Sequence, residues 1–125
     1  MVNLHRIRRI IISNVDKPFG VKELAEVLGM SESHLRDSCY EKCQMSPGLI
    51  IETIHLEITL KLLADNRLRI YEVCRRAGYR NLKTFRNAFK RRLNMTPKEF
   101  RQNSAKTDGR ELMKILWGDH VEMFR

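Results

Sequence analysis

The chain contains an internal repeat. The segment Val21-Lys-Glu-Leu-Ala-Glu-Val-Leu-Gly29 lies over Ile70-Tyr-Glu-Val-Cys-Arg-Arg-Ala-Gly78 at an offset of 49. One added residue makes the offset 50, which puts Leu35 on Phe85, Cys39 on Phe89, Lys42 on Arg92 and Met45-Ser46-Pro47 on Met95-Thr96-Pro97. Self-similarity of this kind constrains a fold more than local propensity does, because both copies must suit one backbone. Each copy holds an apolar-periodic segment, a Gly and a second helical segment, which is the pattern of a helix-turn-helix. Ala25 and Cys74 sit at matching positions where a small side chain lets two helices approach closely.

The sequence around the repeat is also helical. Leu4, Ile7, Ile11 and Val15 form an apolar stripe for an opening helix, ended before Lys17-Pro18. Ser31 suits the N-cap of the first unit's second helix, running to about Cys43. Ser46-Pro47 reads as N-cap and N1 of a long linker helix over about 47–65, with Ile50, Ile54, Ile58 and Leu62 on one face and Leu56, Leu60 and Leu63 on a neighbouring one. A helix so apolar is expected between two packing partners. Asn81 caps the second unit's second helix, about Leu82 to Leu93, and Thr96-Pro97-Lys98-Glu99 is a capping box opening a short closing helix. The expected fold is all-α: two helix-turn-helix units, at about 20–44 and 69–94, joined by the linker helix, about seven helices in all. The linker's 19 residues span roughly 28 Å, close to the 34 Å between successive major-groove faces once the recognition helices' own offsets are added.

Charge is local. Of 125 residues, 24 are Lys or Arg and 15 are Asp or Glu, for a net charge of +9. Residues 21–46 and 47–66 each carry −2, whereas residues 67–103 carry +10. A stripe of that density points to a polyanion, with a solvated helix face as the bland alternative. No apolar run is long enough to span a membrane, no signal peptide opens the chain, and three cysteines suit reduced thiols. The expectation is a cytoplasmic protein with no membrane association.

These residues resemble the DNA-binding domain of the AraC/XylS family of bacterial transcription regulators. The resemblance covers about residues 3–103. It rests on Ile70 through Ala77, Gly78-Tyr79, Phe85, Phe89-Lys90-Arg91-Arg92 and Met95-Thr96-Pro97-Lys98-Glu99-Phe100-Arg101 in the second unit, and on Leu24-Ala25, Leu28-Gly29-Met30-Ser31 and Leu35 in the first. It implies seven helices, two recognition helices in adjacent major grooves of an asymmetric DNA site, and action as an activator or repressor. Several positions depart from the family's pattern. Cys39 replaces the first unit's usual Phe, with Tyr40 a candidate to restore aromatic volume. Gln44 and Asn94 replace Gly where a left-handed conformation is expected, His55 replaces an Arg of the linker helix, and Arg69 stands where a capping Ser or Thr is common.

The resemblance places Leu82, Lys83 and Asn87 at base edges, with Thr84 nearby, and gives Ser33, Arg36 and Asp37 the corresponding places in the first unit. Lys83 and Arg36 suit guanine, Asn87 suits adenine, and Leu82 suits a thymine methyl or else the core. Asp37 accepts from cytosine or steadies Arg36, or it merely repels phosphate. Arg80, Arg86, Lys90 and Arg91 read as phosphate contacts that fix register. The second unit is therefore expected to supply most of the nonspecific affinity and the first to add selectivity. About eight phosphate contacts give a slope near −7 of log K against log salt.

Other chemistry has little to stand on. No phosphate loop, zinc-protease motif or nucleophile elbow occurs, so no catalytic role and no cofactor are assigned. Cys39, Cys43 and His34 lack a convincing fourth ligand, so no metal is expected. The rival function is a protein-interaction module or co-regulator with weak nonspecific DNA binding. Residues 104–125 form a C-terminal extension in which Gln102 through Gly109 reads as a linker and Arg110 to Trp117 as a further helix ended by Gly118. That helix either docks on the domain or offers a contact site to RNA polymerase or a second protomer. Val121, Met123 and Phe124 follow it. Two tandem reading units make a monomer competent, with the oligomeric state open.

Overall fold

The computed structural model describes residues 2–103 and 109–118. Among them the chain is all-helical: α1 (Leu4–Ser13), α2 (Val21–Leu28), α3 (Glu32–Cys43), α4 (Pro47–Leu63), α5 (Ile70–Arg76), α6 (Leu82–Leu93), α7 (Pro97–Asn103) and α8 (Gly109–Trp117). The expected caps are in place. Ser31 Oγ accepts from the His34 amide at 3.0 Å and Ser46 Oγ from the Leu49 amide at 3.1 Å. Asn81 Oδ1 accepts from the amides of Lys83 and Thr84 at 2.8 and 3.2 Å. Thr96 and Glu99 close their capping box reciprocally.

The linker helix α4 is the axis of the fold. It packs against α1, α2 and α3 in the first half and against α5, α7 and α8 in the second. Its burial differs from the pattern expected of a purely apolar rod. Ile58, Leu60 and Leu62 are only half-buried, whereas Thr53, Glu57 and Thr59 are buried. The two hydroxyls are satisfied within the helix, Thr53 donating to the Leu49 carbonyl at 2.7 Å and Thr59 to that of Leu56 at 2.6 Å. Glu57, 3% exposed, binds Arg8 of α1 and accepts a hydrogen bond from the Trp117 indole of α8, so three helices meet at one carboxylate. Such a charge is tolerable only because both oxygens have partners. The C-terminal carbonyls of α4 and the turn after it are also covered. Arg101 of α7 donates to the carbonyls of Leu63, Asp65 and Leu68 at 3.1, 3.3 and 2.6 Å.

The extension docks. Leu112, Leu116 and Trp117 of α8 are buried against α4 and α6, while Ile115 faces out. Helix α8 starts at Gly109, α7 continues through Asn103, and Gly118 takes a left-handed φ of 60° after the last turn. The linker over 104–108 and the positions of Val121, Met123 and Phe124 lie outside the described residues.

Candidate nucleic-acid interface

Helices α3 and α6 repeat one burial pattern. Leu35, Ser38, Cys39 and Cys43 are buried in α3, and Phe85, Ala88, Phe89 and Leu93, each 50 residues on, are buried in α6. The opposite faces match as well. Ser33, His34, Arg36, Asp37 and Tyr40 are exposed in α3, and Lys83, Thr84, Arg86, Asn87 and Lys90 are exposed in α6. Identical phasing follows from identical ends. Gly29 and Gly78, in the turns, have φ of 68° and 91°, and Gln44 and Asn94, closing the recognition helices, have φ of 56° and 57°. Gln44 thus takes the left-handed conformation despite its side chain, at a steric cost that Asn94 bears more easily.

Each unit's first helix is held by half of a capping box. Glu23 accepts from the Gly20 amide at 3.3 Å, and Glu72 from the Arg69 amide at 3.2 Å. The carboxylate of Glu72 explains how Arg69 is accepted at an N-cap without a hydroxyl: a negative group occupies the first turn.

The packing beneath the two faces differs. Under α6, Tyr79, Phe85, Phe89 and Phe100 form a chain of aromatic contacts with centroids 5.1, 5.7 and 6.0 Å apart. Under α3 the corresponding volume is sulfur. Cys43 donates its thiol to the Cys39 carbonyl at 3.3 Å, and burial, with the Cys43 thiol second, pushes the Cys39 thiol up to about 11. Tyr40 does not restore the missing aromatic volume, because its side chain points outward and is 51% exposed. The thiols are unpaired as disulfides and buried, and among the described residues no group of three or more His, Cys, Asp or Glu side chains is placed to hold a metal ion.

The expected DNA-facing residues do not all stand free. Among the described residues, the side chains of Ser33, Arg36, Asp37, Lys83, Arg86, Asn87, Lys90 and Arg80 make no intramolecular hydrogen bond or ion pair. Thr84 is exposed at the first turn of α6. Leu82 is half-buried against the core, so only part of it is presented outward. Arg91 is exposed but paired to Glu52 of α4 at 2.7 Å. Arg92, its neighbour, is turned inward. It binds Glu52 at 2.9 Å, Thr53 at 2.9 Å and the Leu116 carbonyl of α8 at 3.0 Å.

His55 lies on α4 where the linker helix meets the turn of the second unit. Its ring meets Tyr79 edge-on at 5.8 Å, its Nε2 has no hydrogen-bond partner among the described residues, and burial holds its imidazole below the usual value. It is a packing element behind the turn of the second unit.

Among the described residues no helix is long and apolar enough to cross a membrane. The helix-turn-helix domain family matches residues 24–103. The chain is 29% identical over 89 residues to the HTH-type transcriptional regulator AlkR of Acinetobacter baylyi, covering 71% of this chain and 29% of that protein. It is 30% identical over 98 residues to the xylose operon regulatory protein of Escherichia coli K12, covering 78% and 24%. The chain therefore spans about a quarter of the length of these curated relatives. Among solved structures, the C-terminal domain of AraT, a response regulator from Geobacillus stearothermophilus, superposes with a TM-score of 0.74 at 25% identity, covering 87% of this chain and 93% of that one. A DNA-binding transcriptional dual regulator from Escherichia coli K-12 has the same fold, with a TM-score of 0.74 at 24% identity over 86% and 96%. With the repeat, the caps and the paired burial pattern all in register, the chain belongs to the AraC/XylS-type helix-turn-helix family of DNA-binding transcription regulators.

Proposed function

We propose that this chain reads a specific, asymmetric site on double-stranded DNA by placing α3 and α6 in successive major grooves on one side of the duplex, and that it regulates transcription from there. The observation that carries the reading is the matched outward face of α3 and α6 on a single rod, α4, whose 17 residues are roughly 26 Å long. Residues 1–103 form the DNA-binding domain in this reading and residues 104–125 its extension. Ser33, Arg36 and Asp37 of α3 and Lys83, Thr84 and Asn87 of α6 approach base edges, with the outward part of Leu82 beside them. Arg80, Arg86 and Lys90 hold phosphates. Arg91 joins them by exchanging Glu52 for phosphate, so its net contribution is smaller. A monomer with two reading heads suffices for binding, RNA polymerase is the candidate protein partner, and the cytoplasm is the compartment.

Selection of bound sequences from a random duplex pool tests this reading. The expected result is an asymmetric motif with two information-rich segments about one helical turn apart. Enrichment of a single short segment would remove α3 as a reader, and no enrichment would leave only nonspecific binding.

A further inference from the structure

A cleft of about 440 Å³ lies where the connection between α1 and α2 meets the turn between α5 and α6. Its walls come from opposite halves of the molecule. Lys17 and Pro18 belong to the connection, Tyr71 and Arg75 to the outer face of α5, and Arg80 to the turn. The two walls touch: a Cβ on Gly78 would lie 2.6 Å from the Val15 carbonyl oxygen, so the close approach depends on the glycine and the cleft is built before any ligand arrives. Arg75 is also fixed beforehand, donating to the Tyr71 hydroxyl at 3.0 Å with its guanidinium 5.8 Å from that ring's centroid. Lys17 and Arg80 are exposed and have no acidic partner among the described residues. One carboxylate, Asp16, lines the same cleft.

We propose that this cleft seats a phosphate group, held by Lys17, Arg75 and Arg80 from three segments of the chain. Three separate cationic donors suit a tetrahedral anion with several acceptor oxygens better than a planar carboxylate, which one Arg satisfies alone. The cleft is larger than a bare anion, so its remaining space and the Tyr71 ring accommodate whatever the phosphate is attached to. This inference rests on the DNA-binding reading for its favoured source, a backbone phosphodiester, and it adds Lys17 and Arg75, which lie outside both recognition helices, to the contact surface. A phosphate seated there bridges the two halves and fixes one register of the duplex against both. A free phosphate is the other source of the same chemistry.

The test combines duplex binding at several salt concentrations with titration of the free protein by inorganic phosphate, following the Gly78 and Arg80 amides by NMR. The proteins are wild type, Lys17→Gln, Arg75→Gln and Asp16→Asn, with melting temperatures as a folding control. For a DNA phosphate, each cation removed makes the slope of log K against log salt less steep by about 0.9 on every duplex sequence, Asp16→Asn strengthens binding, and millimolar inorganic phosphate gives no saturable shift. For a free phosphate, the amides shift saturably, Arg75→Gln abolishes the shift, and the duplex slopes stay as in wild type. Unchanged slopes with no saturable shift overturn the proposal. If Lys83→Gln/Arg86→Gln still weakens duplex binding in that case, the DNA-binding reading stands without the cleft. A wild type that binds no duplex overturns that reading instead and leaves the inorganic phosphate titration to decide this one.

Discussion

The two helix-turn-helix units share a backbone but differ in what lies on either side of it. Their turns and helix ends adopt the same left-handed residues, and their recognition helices bury the same four positions. Beneath the backbone, α6 rests on Phe85 and Phe89 where α3 rests on Leu35 and Cys39. On the outside, α3 sets Arg36 and Lys42 against Glu32, Asp37 and Glu41, whereas α6 carries Lys83, Arg86, Lys90 and Arg91 with no acidic residue. Among the described residues the extension braces the second unit, through α8 against α6 and the Arg92 link to the Leu116 carbonyl. One fold therefore carries two surfaces, a firmly packed, strongly cationic unit and a lighter, near-neutral one; in the proposed reading the cationic unit supplies affinity and the near-neutral one discrimination.

The largest effects should come from the packing. Phe89→Ala removes a fully buried ring between Phe85 and Phe100 and is expected to cost about 3–5 kcal/mol in urea unfolding, whereas Cys39→Ala, at the matching position, should cost about 1–2 kcal/mol. Equal costs would mean that the two cores bear load alike. Removing the brace comes next. Trp117→Phe leaves Glu57 Oε1 without its indole donor in a buried setting, for an expected loss of about 1–3 kcal/mol. Hydrogen exchange should then rise in α6 and α8 before α3.

The turns allow a cleaner contrast. Both Gly29 and Gly78 are left-handed, so Ala at either is strained by about 1–2 kcal/mol. At Gly29 nothing lies within 4 Å of the added Cβ, but at Gly78 it meets the Val15 oxygen at 2.6 Å and His55 at 3.0 Å. Gly78→Ala should therefore lower the melting temperature well beyond Gly29→Ala, and similar shifts would contradict the close approach. The smallest differences concern the helix ends and His55. Gln44→Gly should raise stability more than Asn94→Gly, by under about 1 kcal/mol, since Asn tolerates the left-handed region better. His55 is held below its ordinary 6.5 by burial, so the unfolded chain takes up a proton first as pH falls. Stability is complete above that value and declines below it, and His55→Phe should flatten this decline in melts recorded across pH.

Much of the scaffold was legible because repetition supplied it twice. Ser31, Ser46, Asn81 and Thr96 announced the helix starts, and the 50-residue offset carried burial from Phe85 and Phe89 to Leu35 and Cys39. The charged core was not legible. Glu57 lies in an apolar helix where an acidic residue reads as solvent-facing, and its partners Arg8 and Trp117 are far away in sequence. The charge of the basic stretch also overstated its outward field, because Arg92 and Arg101 turn inward to Glu52 and to the carbonyls after α4. A linear charge sum does not distinguish a cation that meets phosphate from one that caps a helix. The fate of Cys39 shows the same limit: its neighbour Tyr40 has the right chemistry to refill the core but the wrong helical phase.

The division of labour between the units is tested most directly by measuring affinity for the selected duplex and for a random duplex with three proteins: wild type, Arg36→Gln and Lys83→Gln/Arg86→Gln. The double variant is predicted to lose on the order of 100-fold on the selected duplex and to weaken clearly on the random one, because base and phosphate contacts go together. Arg36→Gln is predicted to lose about tenfold on the selected duplex and almost nothing on the random one. Equal losses from the two units on both duplexes would contradict the account.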